Sequence, residues 1–308
     1  MIVRVIGFLV GIGFAVVLLI SLFSGVATYF ADPPEELAAE VFHKHPKHLA
    51  LSSDGPLGKF DNEQVQRGFQ VYSEVCAACH SLKMASFRDL EHLGYTEAEV
   101  KKIASDWKIQ VPTINEQTGE ASTRKALPSD TFPAPFPNEV AARAANNNAL
   151  PPDLTLITKA REGGAAYVYS LLTGYQNQPA ALLKQFPDAK TPNGLHYNPY
   201  FANLNIAMPP PLTTNGQVSY ADGTPATVDQ MAKDVSAFLV WAGEPNLGSR
   251  HAAGVAVFIF LLVGSILGYM AYGQIWAEAK RKVAPVGVLD SENLAKRKRA
   301  SAKAGVKG

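Results

Sequence analysis

The chain has 308 residues, enough for one sizeable domain or two small ones, and a formal net charge of only +1. That charge is unevenly spread: residues 31–250 carry an acidic excess, while Arg4 and the stretch from Lys280 to Lys307 make the two ends basic. Basic residues confined to tails argue against a nucleic-acid-binding face, and a single pair of cysteines is too few for a four-cysteine zinc site.

No charged residue falls between Val5 and Ala31 or between Ala252 and Ala277. Each stretch exceeds the roughly 20 residues a helix needs to cross a bilayer. The second is followed by Lys280, Arg281 and Lys282 and then by Lys296–Arg299, which by the positive-inside tendency makes its C-terminal end cytoplasmic. Four regions are expected: 1–31, an uncleaved signal anchor or a cleaved signal peptide with Gly25-Val26-Ala27 as a weak cleavage site; 32–250, an extracytoplasmic domain; 251–277, a transmembrane anchor; and 278–308, a basic cytoplasmic tail. The middle region then lies in a bacterial periplasm or an equivalent space.

Residues 32–60, with Pro33-Pro34, His45-Pro46 and Gly55-Pro56, read as an extended linker or ordered loop, its histidines His43, His45 and His48 solvated. Asp61 caps a predicted helix whose apolar residues Val65, Phe69 and Tyr72 share one stripe. That stripe is expected to form core and one face of a bound cofactor. Thr96–Glu99 is a capping box. Residues 107–137 lack periodicity and read as a surface excursion. Asn138 caps a helix that Asn146–Pro152 must stop, and 153–175 reads as two short helices broken at Gly163-Gly164. Residues 176–226 read as irregular. A second capping box at Thr227–Gln230 opens a helix with Met231, Val235, Phe238, Leu239 and Ala242 on its apolar face. With little strand signal, the domain is predicted to be mainly α with long loops.

Both cysteines fall in Cys76-Ala77-Ala78-Cys79-His80. A C-x-x-C pair followed by His is the attachment pattern of a c-type haem: two thiols add across the two porphyrin vinyls, and the histidine stands beside the ring to ligate iron. A dithiol couple would sit in a β-α-β setting, which is lacking here, and a two-residue disulfide loop is a poor staple. For the second axial ligand, Met84 lies too close to His80 to reach the far face, Met270 is in the apolar span, and packing explains Met231. Met208, stiffened by Pro209-Pro210-Pro211, is the favoured thioether, with a histidine such as His196 as the alternative.

The stretches RGFQVYSEVCAACHSL (67–82), AARAANNNALPPDLTLITKAREGGAAYVYSLLTGY (141–175), YNPYFANLNIAMPPPL (197–212) and DGTPATVDQMAKDVSAFLVWAGEP (222–245) resemble the cytochrome c1 family, the haem subunits of cytochrome bc1 complexes. The resemblance implies a cytochrome c-like haem domain with a single C-terminal anchor. It implies one covalent haem c on Cys76 and Cys79 with axial ligands His80 and Met208. Asn146, Pro152, Arg161 and Tyr167 would line the pocket, Arg161 pairing with a propionate. It further implies cytochrome b and a Rieske iron–sulfur protein as partners, a c-type cytochrome as acceptor, a dimeric complex in the bacterial inner membrane, and no catalysis by the chain alone. Two features depart from the family. Residues 107–125 hold Glu116 and Glu120 against Lys108, Arg124 and Lys125 rather than an acidic run, and the apolar N-terminus is long.

Overall fold

The computed structural model describes residues 2–32, 35–283 and 291–303. Two units part between Asn246 and Leu247. The first begins with α1 (Ile2–Ala31) and the short α2 (Ala38–Phe42). It continues through α3 (Asn62–Glu74), β1 (Leu82–Ser86), α4 (Glu97–Ser105), β2 (Val111–Ile114), β3 (Ala121–Arg124), β4 (Thr131–Phe132) and α5 (Glu139–Ala145). Then come α6 (Ile157–Ala160), α7 (Gly164–Leu172), α8 (Ala180–Gln185), β5 (His196–Tyr197), β6 (Asn205–Ile206) and α9 (Val228–Gly243). The second unit holds α10 (Leu247–Val283) and α11 (Ser291–Lys303). The fold is mainly α. Helices α1 and α10 are long and apolar enough to serve as membrane anchors, with none of the apolar window in either buried. Pro33, Pro34 and the side chains at 280–282, on which two of the sequence expectations rest, lie outside the described residues.

The first unit is organised by the packing of α3 on α9. Asp61 caps α3 as expected, accepting from the Gln64 amide at 3.3 Å. At Gly68 an added Cβ would overlap the Asp234 backbone carbonyl and the Phe238 Cβ, so glycine is what lets the two helices touch. Beside it Arg67 donates Nε to the fully buried Asp234 at 3.0 Å and Nη1 to Asp222 at 2.7 Å. The remaining oxygen of Asp234 accepts from Gln230 Nε2 at 2.8 Å. A buried carboxylate is tolerable only when its lone pairs are matched in this way.

Val65, Phe69 and Tyr72 are buried as predicted. Their covering is protein, however: Phe69 and Tyr72 meet Phe238 of α9, Trp107 and Phe132, the rings 5.5–6.4 Å apart. The stripe makes core, as predicted.

Two expectations change, and a third is decided between its alternatives. Residues 107–137, read as an aperiodic surface excursion, hold regular structure: β2 and β3 form an antiparallel hairpin with Val111 opposite Arg124 and Ile114 opposite Ala121, and β4 pairs with β1. Residues 176–226 contain α8 and the β5–β6 ladder. Of the two forms expected for residues 32–60, residues 38–49 take the ordered one. Ala38, Ala39 and Phe42 pack on Leu182, Tyr197 and Leu204, and the Lys44 amide donates to Pro199 O at 2.8 Å. Lys47 is the anchor of this arm. Its amide donates to Ser170 Oγ at 2.7 Å and its Nζ to Thr173 Oγ1 at 2.7 Å, with the ammonium 5.7 Å and 5.4 Å from the Tyr169 and Tyr200 ring centres. Burial outweighs the nearby Asp229 and holds the Lys47 pKa below its ordinary value. His43, His45 and His48 are exposed.

Candidate functional site

Helix α3 ends at Glu74, and Cys76–Ala78 form a single 3-10 turn in which the His80 amide donates to Cys76 O at 2.9 Å. Tightening the chain here brings both cysteines and the histidine onto one short turn. The thiols are free, Cys76 half-buried and Cys79 exposed. Burial, then the neighbouring Cys79, push the Cys76 thiol up to about 12, so it is a neutral thiol at neutral pH.

His80 is held at both ends. Its carbonyl accepts from the buried Tyr72 hydroxyl at 3.0 Å, and its Nδ1 lies 2.8 Å from Pro152 O. A carbonyl can only accept, so Nδ1 carries the proton and the lone pair is on Nε2. Burial lowers the His80 pKa, against smaller opposing effects of Pro152 O and Asp153, which favours the neutral imidazole that a metal requires. Two free thiols, a neutral imidazole with a fixed tautomer and an Nε2 with no protein partner among the described residues are the donor set a covalent haem needs. The chemistry fits.

The other predicted residues are placed as follows. Asn146 terminates α5, its Nδ2 donating to Ala142 O at 2.7 Å, and Asn147 (φ 51°) and Asn148 (φ 62°) adopt the left-handed conformation that turns the chain toward Pro152. Pro152 supplies the His80 partner. Arg161 closes α6, donates to Ala160 O at 3.0 Å, has no carboxylate partner among the described residues, and lies beside Tyr167 of α7. The Tyr167 phenol is raised by burial, and Arg161 offsets part of that rise. Met208 follows β6, half-buried, with its carbonyl accepting from Tyr175 Oη at 3.1 Å. Tyr175 is raised by burial and by the nearby Tyr167 phenol, which places the Met208 segment near Tyr167 of α7. His196, the alternative ligand, lies against Tyr175 at 6.5 Å between ring centres, and both line a cavity of about 550 Å³ with Pro210. Of the other methionines, Met231 is fully buried core and Met84 is 70% exposed.

The Cytochrome C1 family model matches residues 51–279. This chain belongs to the cytochrome c1 family. It is 46% identical over 229 residues to cytochrome c1-2, heme protein, mitochondrial, of Solanum tuberosum, a match covering 74% of this chain and 84% of that protein. It is 41% identical over 240 residues to cytochrome c1 of Rhodospirillum rubrum, covering 73% and 85%. The match to cytochrome b/c1 of Bradyrhizobium diazoefficiens, 42% identical over 275 residues, covers 84% of this chain but only 39% of that longer protein. Membership in the cytochrome c1 family makes a c-type haem the implied cofactor and electron transfer the implied work. One contributor was missed from sequence: Asp153. Its position just after Pro151-Pro152 was visible, but its partners lie about 70 residues earlier.

Proposed function

We propose that this cytochrome c1 chain is the haem-bearing subunit of a ubiquinol–cytochrome c reductase (bc1) complex. In this role it relays single electrons from the Rieske iron–sulfur protein to a c-type cytochrome, and it is not catalytic alone. The observation that supports this most is His80, its Nδ1 committed to Pro152 O at 2.8 Å and its Nε2 left as the donor, inside a C-x-x-C-H segment covered by the family match. Bound haem supplies a one-electron iron couple. Cys76 and Cys79 would hold one haem c covalently, His80 and Met208 would ligate its iron, and Asn146, Pro152, Arg161 and Tyr167 would line the pocket. The Arg161 guanidinium, which has no carboxylate partner among the described residues, would pair with a propionate in a charge-assisted contact. With His80 and Met208 both ligating, the iron would have no open position for a substrate.

Residues 1–31 act as signal anchor or signal peptide, 32–250 as the periplasmic haem domain, 251–277 as the inner-membrane anchor and 278–308 as the cytoplasmic tail. Two apolar helices and the basic run after the second support this placement. Cytochrome b packs against the anchor, and the complex is dimeric. Met208→Leu removes the sulfur ligand and is expected to lower the midpoint potential sharply and abolish the sulfur-to-iron charge-transfer band. An unchanged spectrum would remove Met208 and leave His196 as the ligand to test. A haem-stained denaturing gel without signal, or a mild detergent preparation that contains neither cytochrome b nor an iron–sulfur protein, would sink the assignment itself.

A further inference from the structure

The direction in which His80 presents Nε2 is fixed by the position of one backbone carbonyl, that of Pro152. Residue 152 cannot hold itself in place: proline has no amide proton to donate, its neighbour Pro151 has none either, and Pro152 is exposed. What fixes it comes next in the chain. Asp153 Oδ2 accepts from Ser81 Oγ at 2.8 Å and from the Lys83 amide at 2.8 Å, and Asp153 Oδ1 accepts from the Thr155 amide at 3.0 Å. The Leu154 amide donates to Ser81 O at 2.9 Å, and the Met84 amide approaches Thr155 Oγ1 at 3.4 Å. One carboxylate thus clips the 152–155 segment to the three residues that follow His80.

We infer that Asp153 is a positioning residue for the axial histidine. Acting through Pro152 O, it sets the plane of the His80 ring and the strength of the Nδ1 hydrogen bond, and thereby tunes the iron couple; the inference rests on His80 being an iron ligand. Partners of this outer kind orient a ligating imidazole and raise its basicity. A more basic imidazole favours ferric iron, so weakening the clip raises the potential. Asp153 makes no hydrogen bond to His80 among the described residues; its charge acts on the ring through space, whereas its hold on the orientation of the ring passes through the Pro152 carbonyl.

The test compares Asp153→Asn and Ser81→Ala in membranes containing the full chain and its complex, read by low-temperature EPR of the oxidised haem and by redox titration. Asn keeps the shape but has a single acceptor oxygen in place of two. Ser81→Ala removes one clip contact and leaves the Asp153 charge in place. Both variants should shift the largest g value, which reports the orientation of the axial ligand planes, and both should raise the midpoint potential, Asp153→Asn by a tenfold change in the couple, about 59 mV for one electron, and Ser81→Ala by less. Unchanged g values and potentials in both would overturn the inference. So would a higher potential in Asp153→Asn alone with its g value unmoved, since removal of a nearby charge explains that result. Haem staining per chain shows whether each variant is assembled, and if Asp153→Asn is not, Ser81→Ala decides. A parent chain lacking any low-spin haem signal would instead defeat the assignment of His80 as an iron ligand.

Discussion

Replacing Gly68 by Ala puts two effects of opposite sign in competition at the α3–α9 crossing. Alanine is the better helix former, by roughly 1 kcal/mol at an interior helix position. Against this, the new methyl group meets the Asp234 carbonyl and the Phe238 Cβ, neither of which is the far end of a flexible side chain. Overpacking usually costs about 1–3 kcal/mol, and a collision with backbone belongs at the top of that range because a helix must move to relieve it. The net expectation is a loss of about 2 kcal/mol, or about 4–8 °C in melting temperature for a domain of this size. Thermal unfolding of the detergent-solubilised haem-loaded chain, followed by Soret circular dichroism, measures it. Gly264→Ala in α10, where an added Cβ meets nothing, is the control and should not lower the melting temperature. A Gly68→Ala chain that melts at or above the parent temperature would show that the helices do not need this contact.

Lys47→Met keeps the apolar stem but removes the ammonium from Thr173 and from the two tyrosine rings, and should cost about 1–3 kcal/mol in a urea titration. Thr227→Ala deletes the hydroxyl that accepts from the Gln230 amide at 3.0 Å and should cost about 1 kcal/mol in the same assay. Asp229 is held below its ordinary pKa by hydrogen bonds from Lys233 and then Tyr169, so the folded chain binds this proton less tightly than the unfolded chain does. The stabilisation is therefore complete above the ordinary value of 3.8 and is lost as pH falls through the depressed one. An Asp229→Asn chain should accordingly lose less stability than the parent between pH 5 and 3, and equal acid slopes would contradict this.

What could be read in the sequence was local. Asp61, Thr96 and Asn138 cap helices because each accepts from an amide only three residues away. Thr227 does too, but the reciprocal half of its box is not made, since Gln230 turns instead to the buried Asp234, a partner no short pattern reveals. The β2–β3 hairpin escaped notice because Pro112 sits inside β2, where proline argues against a strand, and because its two arms join through Asn115 and Gly119 with little apolar alternation. The docked arm was illegible for another reason: Lys47 meets Ser170 and Thr173 across 123 and 126 residues. The C-x-x-C-H turn announced itself by composition alone, whereas the clip that steadies it joins Asp153 to Ser81 across 72 residues.

The docking of residues 38–49 also limits how the chain is matured. Phe42 lies edge-on against Phe186 at 6.3 Å, and Lys44 and Lys47 tie the following residues to Pro199, Ser170 and Thr173. A protease that trimmed past residue 38 would strip the cover from the Leu182–Tyr197–Leu204 cluster, just ahead of the segment that carries Met208. Any processing cut compatible with an intact electron carrier therefore falls upstream of Ala38, whichever fate α1 meets.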